Sequence, residues 1–278
     1  MTGIIDVGGG LRGIFGAGVL DRFMELGISF DYCLGVSAGS ANLITYLAKQ
    51  IYRTRIFYTE YSLRPEYMSF QNLYKKGSYV DLDYVYGVLS NDDGENPLDF
   101  DTFLQYDGIY KAVATDAKTG EALYFDKSYF EKNNYNVLKA SCCLPIACKP
   151  VKVREYNCFD GGVADPVPVK KAMEDGCDRI VLILTRPVDE IRQAGSDATA
   201  AKLLGLQYPE TAKRLAYRYI RYNEGVALAK ELEAQGKALI LAPDDISGLK
   251  TLTKDMDKID SLYKQGYRIA DKITDFMK

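Results

Sequence analysis

The sequence predicts an α/β fold in which helices cover a mainly parallel sheet. About the first fifty residues alternate between strand-like and helix-like segments, and this alternation produces parallel strands joined by covering helices. Two short apolar runs, 178–184 and 237–242, follow helical patterns and predict further strands. With 278 residues, 47% of them apolar or aromatic, the chain can form one large domain or two small ones around a substantial core.

The N-terminal part begins with a strand over 3–7, a glycine-rich loop and a helix that Gly27 terminates at the C′ position. A second strand over 30–36 precedes a helix over 41–52. Residues 46–110 differ in character, because tyrosines are frequent and the periodicity is mixed. Since tyrosine combines an apolar ring with a polar tip, we predict a cap- or lid-like insertion there, and for any single tyrosine a packing role in a helical cap is the favoured alternative.

Strands and helices continue to alternate along the rest of the chain. The predicted strands are 108–115, 121–125 and 151–159. The polar stretch 189–200 is typical of a surface loop. Helices are predicted over 137–143, 169–175, 209–234, 247–258 and 260–277.

Composition argues against several classes of protein. The formal net charge of −3 and the isoelectric point near 5.3 are not those of a nucleic-acid-binding protein, which normally carries a basic excess. Six cysteines lack paired spacing and histidine is absent, so we predict free thiols and no zinc site. No signal-peptide pattern is visible, and the longest apolar runs are too short to span a bilayer, which predicts a cytoplasmic protein.

A G-x-S-x-G pattern over 35–39 is the main chemical candidate. It places Ser37 on a tight turn between a strand and a helix, with Gly35 and Gly39 at positions too crowded for a side chain. A glycine-rich turn with a helix-capping serine is the alternative. Because the chain has no histidine, a Ser-His-Asp triad is excluded. A nucleophilic Ser37 would need a carboxylate, a lysine or a tyrosine as its base.

The loop that follows the first strand reads GGGLRG over 8–13. Backbone N–H groups of consecutive glycines can converge on one point and stabilise a tetrahedral oxyanion, and losing one such donor costs about 3 kcal/mol. The loop and Ser37 would then face one cavity, at the carboxyl ends of neighbouring strands. Arg12 would either meet an anionic substrate or bond to loop carbonyls as a surface arginine.

The same loop partly satisfies a dinucleotide-binding fingerprint. Gly8, Gly10 and Gly13 fit G-x-G-x-x-G, which also requires an acidic residue at the end of the second strand. The nearest acidic residue, Asp31, lies at the start of that strand. A dinucleotide-binding oxidoreductase is therefore a weaker alternative.

Asp160 is the second chemical candidate. It ends a strand-like segment, and the two glycines after it allow the backbone to approach closely. Asp-Gly commonly forms a plain turn. With a candidate nucleophile present and histidine absent, Asp160 becomes the leading candidate for the base.

Three arginines share one face of the predicted helix 209–234. Arg214, Arg218 and Arg221 follow at spacings of four and three residues. Such a face can bind phosphate, but a solvated face is the favoured interpretation.

Together the motifs resemble the patatin-like phospholipase family. The likeness lies, in this order, in GGGLRG over 8–13, GVSAG over 35–39 and DGG over 160–162, and ASCCLP over 140–145 resembles the helix before the family's aspartate strand. It covers about residues 3–190, and the tail resembles a bacterial branch of the family. The resemblance implies a three-layer α/β/α fold and hydrolysis of lipid acyl esters by a Ser-Asp dyad, without metal or cofactor.

The resemblance also implies a role for each motif. Ser37 carries over as the nucleophile and Asp160 as the general base. The oxyanion hole would be formed by the backbone of Gly8, Gly9, Gly10, Leu11 and Arg12. The predicted organisation is a catalytic domain over 1–190 and a mostly helical C-terminal region over 191–278 that packs on the same core.

The sequence therefore predicts a serine acyl hydrolase of the lipase or phospholipase A type. Its expected partners are a lipid or acyl-ester substrate and, transiently, a membrane surface, with no nucleic acid. A non-catalytic lipid-binding module remains the alternative, besides the oxidoreductase. No recognisable extra domain for calcium or membrane docking is present.

Overall fold

A central sheet of eight strands organises the described residues, 1–246, 248–252 and 254–278, of this computed structural model. The strands are β1 (Thr2–Asp6), β2 (Tyr32–Val36), β3 (Ile109–Asp116), β4 (Ala122–Asp126), β5 (Val151–Val153), β6 (Tyr156–Asp160), β7 (Arg179–Ile183) and β8 (Ala238–Leu241). Their order across the sheet is β5–β6–β3–β2–β1–β7–β8, and β4 also pairs with β3. The pairs β3–β2, β2–β1, β1–β7 and β7–β8 are parallel. The pairs β3–β4, β3–β6 and β5–β6 are antiparallel.

Helices cover both faces of this sheet. They are α1 (Ile14–Glu25), α2 (Ala38–Leu47), α3 (Arg53–Thr59), α4 (Phe70–Lys76), α5 (Phe100–Leu104), α6 (Asn136–Ser141), α7 (Val169–Glu174), α8 (Asp197–Leu204), α9 (Pro209–Ala216), α10 (Arg218–Ala234), α11 (Met256–Ile269) and α12 (Ile273–Phe276). A 3₁₀ turn over Gly10–Gly13 leads into α1, and a π-helical turn covers Tyr84–Leu89.

The alternation of side chains along β1 shows how a hydrophobic core forms on each face of the sheet. Ile4 belongs to the core that packs against α1, α2 and α11, whereas Ile5 belongs to the core that packs against α7 and α10. Successive side chains of a strand point to opposite faces, so each strand of the central part supplies both cores. The predicted α/β/α fold with a mainly parallel sheet is confirmed.

Two predicted elements are split, each for a local reason. The strand predicted over 151–159 is the hairpin β5–β6, because the chain turns at Arg154, which has a positive φ of 49°. The helix predicted over 209–234 breaks at Tyr217 into α9 and α10. Leu215 of α9 lies in the first core and Val226 of α10 in the second, and one straight helix does not reach both.

The C-terminal helices also differ from their predicted bounds. The predicted helix 247–258 begins at Ser247, which lies outside the described residues. Helix α11 begins at Met256, because Asp255 caps its N-terminus by accepting from the Lys258 N–H at 3.3 Å. It continues through Ile259, where we predicted a boundary between two helices. Gly266 of α11 lies against Phe15 of α1, where an added Cβ would come within 2.1 Å of a carbonyl oxygen. The predicted loop 189–200 contains the start of α8.

Candidate active site

Ser37 lies in the turn that joins β2 directly to α2. Its φ of 56° and ψ of −132° are outside the regions that a side chain normally allows, which is typical of a strained functional turn. The flanking glycines are required by contact: a Cβ at Gly35 would lie 2.3 Å from Ser40 Cα, and a Cβ at Gly39 would lie 2.1 Å from the Asp6 carbonyl oxygen. The helix begins at Ala38, three residues earlier than predicted.

Neighbouring polar groups hold the strained turn in place. The Ser37 N–H donates to Ser141 Oγ at 3.0 Å, and Ser40 Oγ donates to the Ser37 carbonyl at 2.6 Å. The Tyr110 hydroxyl in turn donates to the Ser40 carbonyl at 2.8 Å. Sequence reasoning did not assign a role to Ser141, although it lies in the ASCCLP segment that carried part of the resemblance.

The two sequence candidates lie in direct contact. Ser37 Oγ donates to Asp160 Oδ2 at 2.6 Å across 123 positions of sequence. Asp160 ends β6, and its Oδ1 accepts from the Gly162 N–H at 2.8 Å. Its backbone carbonyl accepts from Thr115 Oγ1 at 2.8 Å. Both residues are buried, with Ser37 8% and Asp160 2% exposed, so a reacting group must enter a cavity to reach them.

Burial makes Asp160 a better proton acceptor than a free aspartate. Desolvation raises its pKa, while the hydrogen bonds from Ser37 and Gly162 and the charge of Arg218 oppose the rise. Cys142 lines one cavity beside Ser37, but burial raises its pKa to about 12, so its thiol stays protonated near neutral pH. The pair can thus supply a hydroxyl nucleophile and a carboxylate base.

Three consecutive residues of the glycine loop have a backbone conformation that requires glycine. Gly8, Gly9 and Gly10 have φ values of 62°, 126° and 60°, which only glycine adopts without strain. The Gly8 N–H donates to Asp6 Oδ1 and the Leu11 N–H donates to the Thr251 carbonyl, each at 2.8 Å. The N–H groups of Gly9 and Gly10 have no acceptor among the described residues, which makes them the available donors of this loop.

Asp6 fixes the base of the loop, a role that sequence analysis missed. Its Oδ2 accepts from Asn42 Nδ2 at 2.9 Å, and the same amide group donates to the Gly13 carbonyl at 2.9 Å. Burial raises the pKa of Asp6 to about 6, opposed by the hydrogen bonds from Asn42 and Gly8. A lone carboxylate at the end of an apolar strand could have drawn attention to Asp6, although it does not indicate the partners of that side chain.

Asp31 lies away from the loop. Its Oδ2 accepts from the Thr2 N–H at 2.8 Å, at the amino ends of β1 and β2. The glycine loop and Ser37 lie at the opposite, carboxyl ends of the same strands. Asp31 is therefore not placed to bind a ribose that sits on the glycine loop.

Two cavities open onto Ser37. The first has an open volume of about 760 Å³ and is lined mainly by apolar and aromatic side chains from α2, α3 and the following turns. We call it the apolar cavity; its wall includes Ala41, Phe57, Tyr58, Tyr67, Val85 and Leu89.

The second cavity has an open volume of about 1220 Å³ and also reaches Asp160. Four guanidinium groups line it, so we call it the arginine cavity; they belong to Arg12, Arg186, Arg192 and Arg218. The solvated face predicted for Arg218 is wrong, because this side chain is 20% exposed and its Nη2 donates to Asp197 Oδ1 at 2.8 Å.

Comparisons with known proteins show the family of this chain. Residues 7–173 match the family model described as patatin-like phospholipase. The chain belongs to the patatin-like phospholipase family. This confirms the resemblance carried by the three motifs. Residues 208–277 of this family member match a second model, described as a domain of unknown function, DUF6363.

One protein is similar to this family member in sequence, and another is similar in fold. The uncharacterized protein YjjU of Escherichia coli strain K12 is 32% identical over 189 residues, which cover 66% of this chain and 52% of YjjU. The chain thus spans about half the length of that relative. The crystal structure of VipD from Legionella pneumophila has the same fold, with a TM-score of 0.55 and 10% identity over 99% of this chain and 66% of VipD. Among the described residues, no helix is both long and apolar enough to cross a membrane.

Proposed function

We propose that the protein is a serine acyl hydrolase that cleaves carboxylic esters of lipids with Ser37 as nucleophile and Asp160 as general base. The observation that carries the proposal is the 2.6 Å hydrogen bond from Ser37 Oγ to Asp160 Oδ2, formed where an apolar cavity opens. Membership of the patatin-like phospholipase family supports the same reaction class.

In the first half-reaction, Ser37 Oγ attacks the ester carbonyl carbon while Asp160 takes the hydroxyl proton. The carbonyl oxygen becomes an oxyanion, which the N–H groups of Gly9 and Gly10 and the N-terminus of α2 stabilise. When the tetrahedral intermediate collapses, the ester C–O bond breaks and the leaving alcohol takes the proton from Asp160. The product is an acyl-serine.

In the second half-reaction, Asp160 takes a proton from water, and the hydroxide attacks the acyl-serine carbonyl. Collapse returns the proton to Ser37 Oγ and releases the fatty acid. Because Ser37 and Asp160 are already in contact, little positional entropy is lost before the proton moves.

The apolar cavity supports an acyl chain as the substrate part next to Ser37. Aliphatic and aromatic side chains dominate its wall, and an acyl chain can pack against such groups. Residues 46–110 supply much of this wall. We therefore retain the predicted cap- or lid-like insertion over these residues as part of the proposal. The proposed organisation remains a catalytic domain over 1–190 with a helical region over 191–278.

Exposed aromatic side chains support the predicted membrane-surface contact. Phe70 and Tyr74 of α4 are 80% and 91% exposed, and Lys75 and Lys76 follow them. Aromatic and basic side chains together suit the interface of a lipid surface. We retain this contact as a proposal, beside the predicted cytoplasmic location.

A substrate panel tests the function. Fatty-acid release is measured by mass spectrometry from phospholipids, lysophospholipids, acylglycerols and short-chain p-nitrophenyl esters, with Ser37→Ala as the matched control. We expect the wild-type chain to release fatty acid from at least one lipid class and Ser37→Ala to release none above background. Lipid binding without release by the wild type would instead support the alternative of a non-catalytic lipid-binding module.

The pH dependence tests the role of Asp160. Activity requires the carboxylate form, so kcat/KM for an uncharged ester should fall as pH falls through the pKa of Asp160. Because burial raises that pKa, the acidic limb should lie above the value of about 4 of a free aspartate. The fall in kcat/KM at low pH should persist in Asp6→Asn, which removes a second buried carboxyl group, next to the glycine loop. A rate that stays constant down to pH 4 in protein that circular dichroism shows to be folded would contradict the assignment.

A further inference from the structure

We propose that the arginine cavity binds the phosphate group of a lipid substrate while its acyl ester lies at Ser37. This inference rests on the proposed function and names the substrate class, a phosphate-bearing acyl lipid. It also assigns a role to the C-terminal region, residues 191–278, which supplies two of the four guanidinium groups.

The four arginines come from separate parts of the chain and meet in one place. Arg12 lies in the glycine loop, and Arg186 follows β7. Arg192 precedes α8, and Arg218 begins α10. All four line the same cavity as Ser37 and Asp160, so a molecule can contact the guanidinium groups and Ser37 at once.

Acidic side chains balance only part of this positive charge. Asp197 accepts from Arg218 Nη2 at 2.8 Å and lies 3.7 Å from Arg192 Nη2, so two arginines share one carboxylate. Glu190 pairs with Arg186. Besides Asp160, Asp197 is the one acidic residue among the described residues of the cavity wall.

The contacts of Arg12 point most clearly to an anionic ligand. It is 5% exposed, and among the described residues it has no carboxylate partner. Its Nη1 donates to Thr251 Oγ1 at 3.1 Å, while its buried Nε has no acceptor in the described part of the chain. A buried guanidinium without a counter-ion is costly, and a bound anion would remove that cost.

The arginines of this cavity also repel one another. Burial lowers the pKa of Arg12 to about 10, and the charges of Arg186 and Arg192 add to the decrease. The pKa of Arg192 is lowered by burial and then by Arg218 and Arg186. Phosphate matches this arrangement, since its oxygens accept charge-assisted hydrogen bonds from several guanidinium groups at once.

Each of the two cavities would bind a different part of one substrate. The apolar cavity and the arginine cavity share Ser37, but the first is lined mainly by apolar side chains and the second contains four guanidinium groups. An acyl chain in the first and a phosphate in the second would place the ester that joins the acyl chain to glycerol near Ser37 Oγ. The electrostatic attraction would thereby favour phospholipids over neutral acylglycerols of equal chain length.

Calorimetry on the full chain carrying Ser37→Ala tests this inference without turnover. The ligands are octanoyl lysophosphatidic acid and monooctanoylglycerol, which differ by the phosphate alone, both kept below their critical micelle concentrations. We expect the phosphate-bearing lipid to bind at least about tenfold more tightly. Equal affinities, or binding of neither lipid, would overturn the proposal.

Charge-neutralising variants locate the anion. In the Ser37→Ala background, Arg192→Gln should weaken lysophosphatidic acid binding by about tenfold and monooctanoylglycerol binding by less than twofold. Lys170→Gln removes the same charge from a side chain that is 83% exposed, and both affinities should persist. If Arg192→Gln does not fold, Arg186→Gln gives the same test. An unchanged preference in the folded arginine variant would contradict the assignment.

Inorganic phosphate distinguishes a lipid headgroup from a free anion. Titrated alone, it should bind at least about tenfold more weakly than the lysolipid, because the acyl chain contributes apolar burial. Phosphate binding as tight as that of the lysolipid would assign the cavity to a free anion and overturn the lipid assignment. These outcomes are separate from the proposed hydrolysis, which the substrate panel measures with the wild-type chain.

Discussion

Asp160→Asn is expected to fold like the wild-type chain and to lose about 10³- to 10⁴-fold in kcat. The amide keeps the shape of the carboxyl group and can still accept the Gly162 N–H through its oxygen. It cannot take the proton from Ser37, and general base catalysis typically contributes a factor of this size. Stopped-flow or continuous assays with an uncharged p-nitrophenyl ester measure the loss, and thermal denaturation checks the fold.

A nearby aspartate provides the matched control. Asp165 is half-buried, burial raises its pKa, and its Oδ2 accepts from the Tyr124 hydroxyl at 2.6 Å rather than from Ser37. Asp165→Asn should keep kcat within a few-fold of the wild-type value. Near-normal turnover in Asp160→Asn, or an equal loss in both variants, would remove Asp160 from its proposed role.

Gly35→Ala is expected to destabilise the fold by about 3 kcal/mol or more. The added Cβ would lie 2.3 Å from Ser40 Cα and 2.6 Å from Ser40 N, which are backbone atoms and cannot move aside as a flexible side chain can. The strand and helix around Ser37 would have to separate. Chemical denaturation monitored by circular dichroism measures the free energy of unfolding.

Gly87→Ala is the control for this substitution. At Gly87 an added Cβ meets its nearest neighbour at 3.6 Å, and the backbone has no positive φ. Its free energy of unfolding should change by less than about 1 kcal/mol. If Gly35→Ala were as stable as Gly87→Ala, the steric account of the turn at Ser37 would be wrong.

Local patterns were enough to predict the central fold. β1, α1, β2 and α2 follow directly from strand and helix periodicity, and the parallel pairing of β1 with β2 follows from their alternation with helices. The break at Tyr217 was not predictable, because it depends on α9 and α10 packing against different cores. Helix propensity across 209–234 is continuous, and tertiary packing overrides it.

The sequence likewise predicted only part of the candidate site. Ser37, Asp160 and the glycine loop stood out because glycine spacing and the absence of histidine constrain the chemistry within short windows. Asp6, Asn42 and Ser141 support the site through contacts between distant segments, which no short pattern encodes. The arginine cavity could not be predicted for the same reason, since its arginines are spread from position 12 to position 218.

Active-site labelling tests the central claim most directly. Wild-type protein is treated with a fluorophosphonate probe, and intact mass and peptide mapping locate the adduct. We predict one equivalent of label on Ser37 in the wild type and none in Ser37→Ala. Folded wild-type protein that stays unlabelled, or a Ser37→Ala variant that labels equally, would contradict the account.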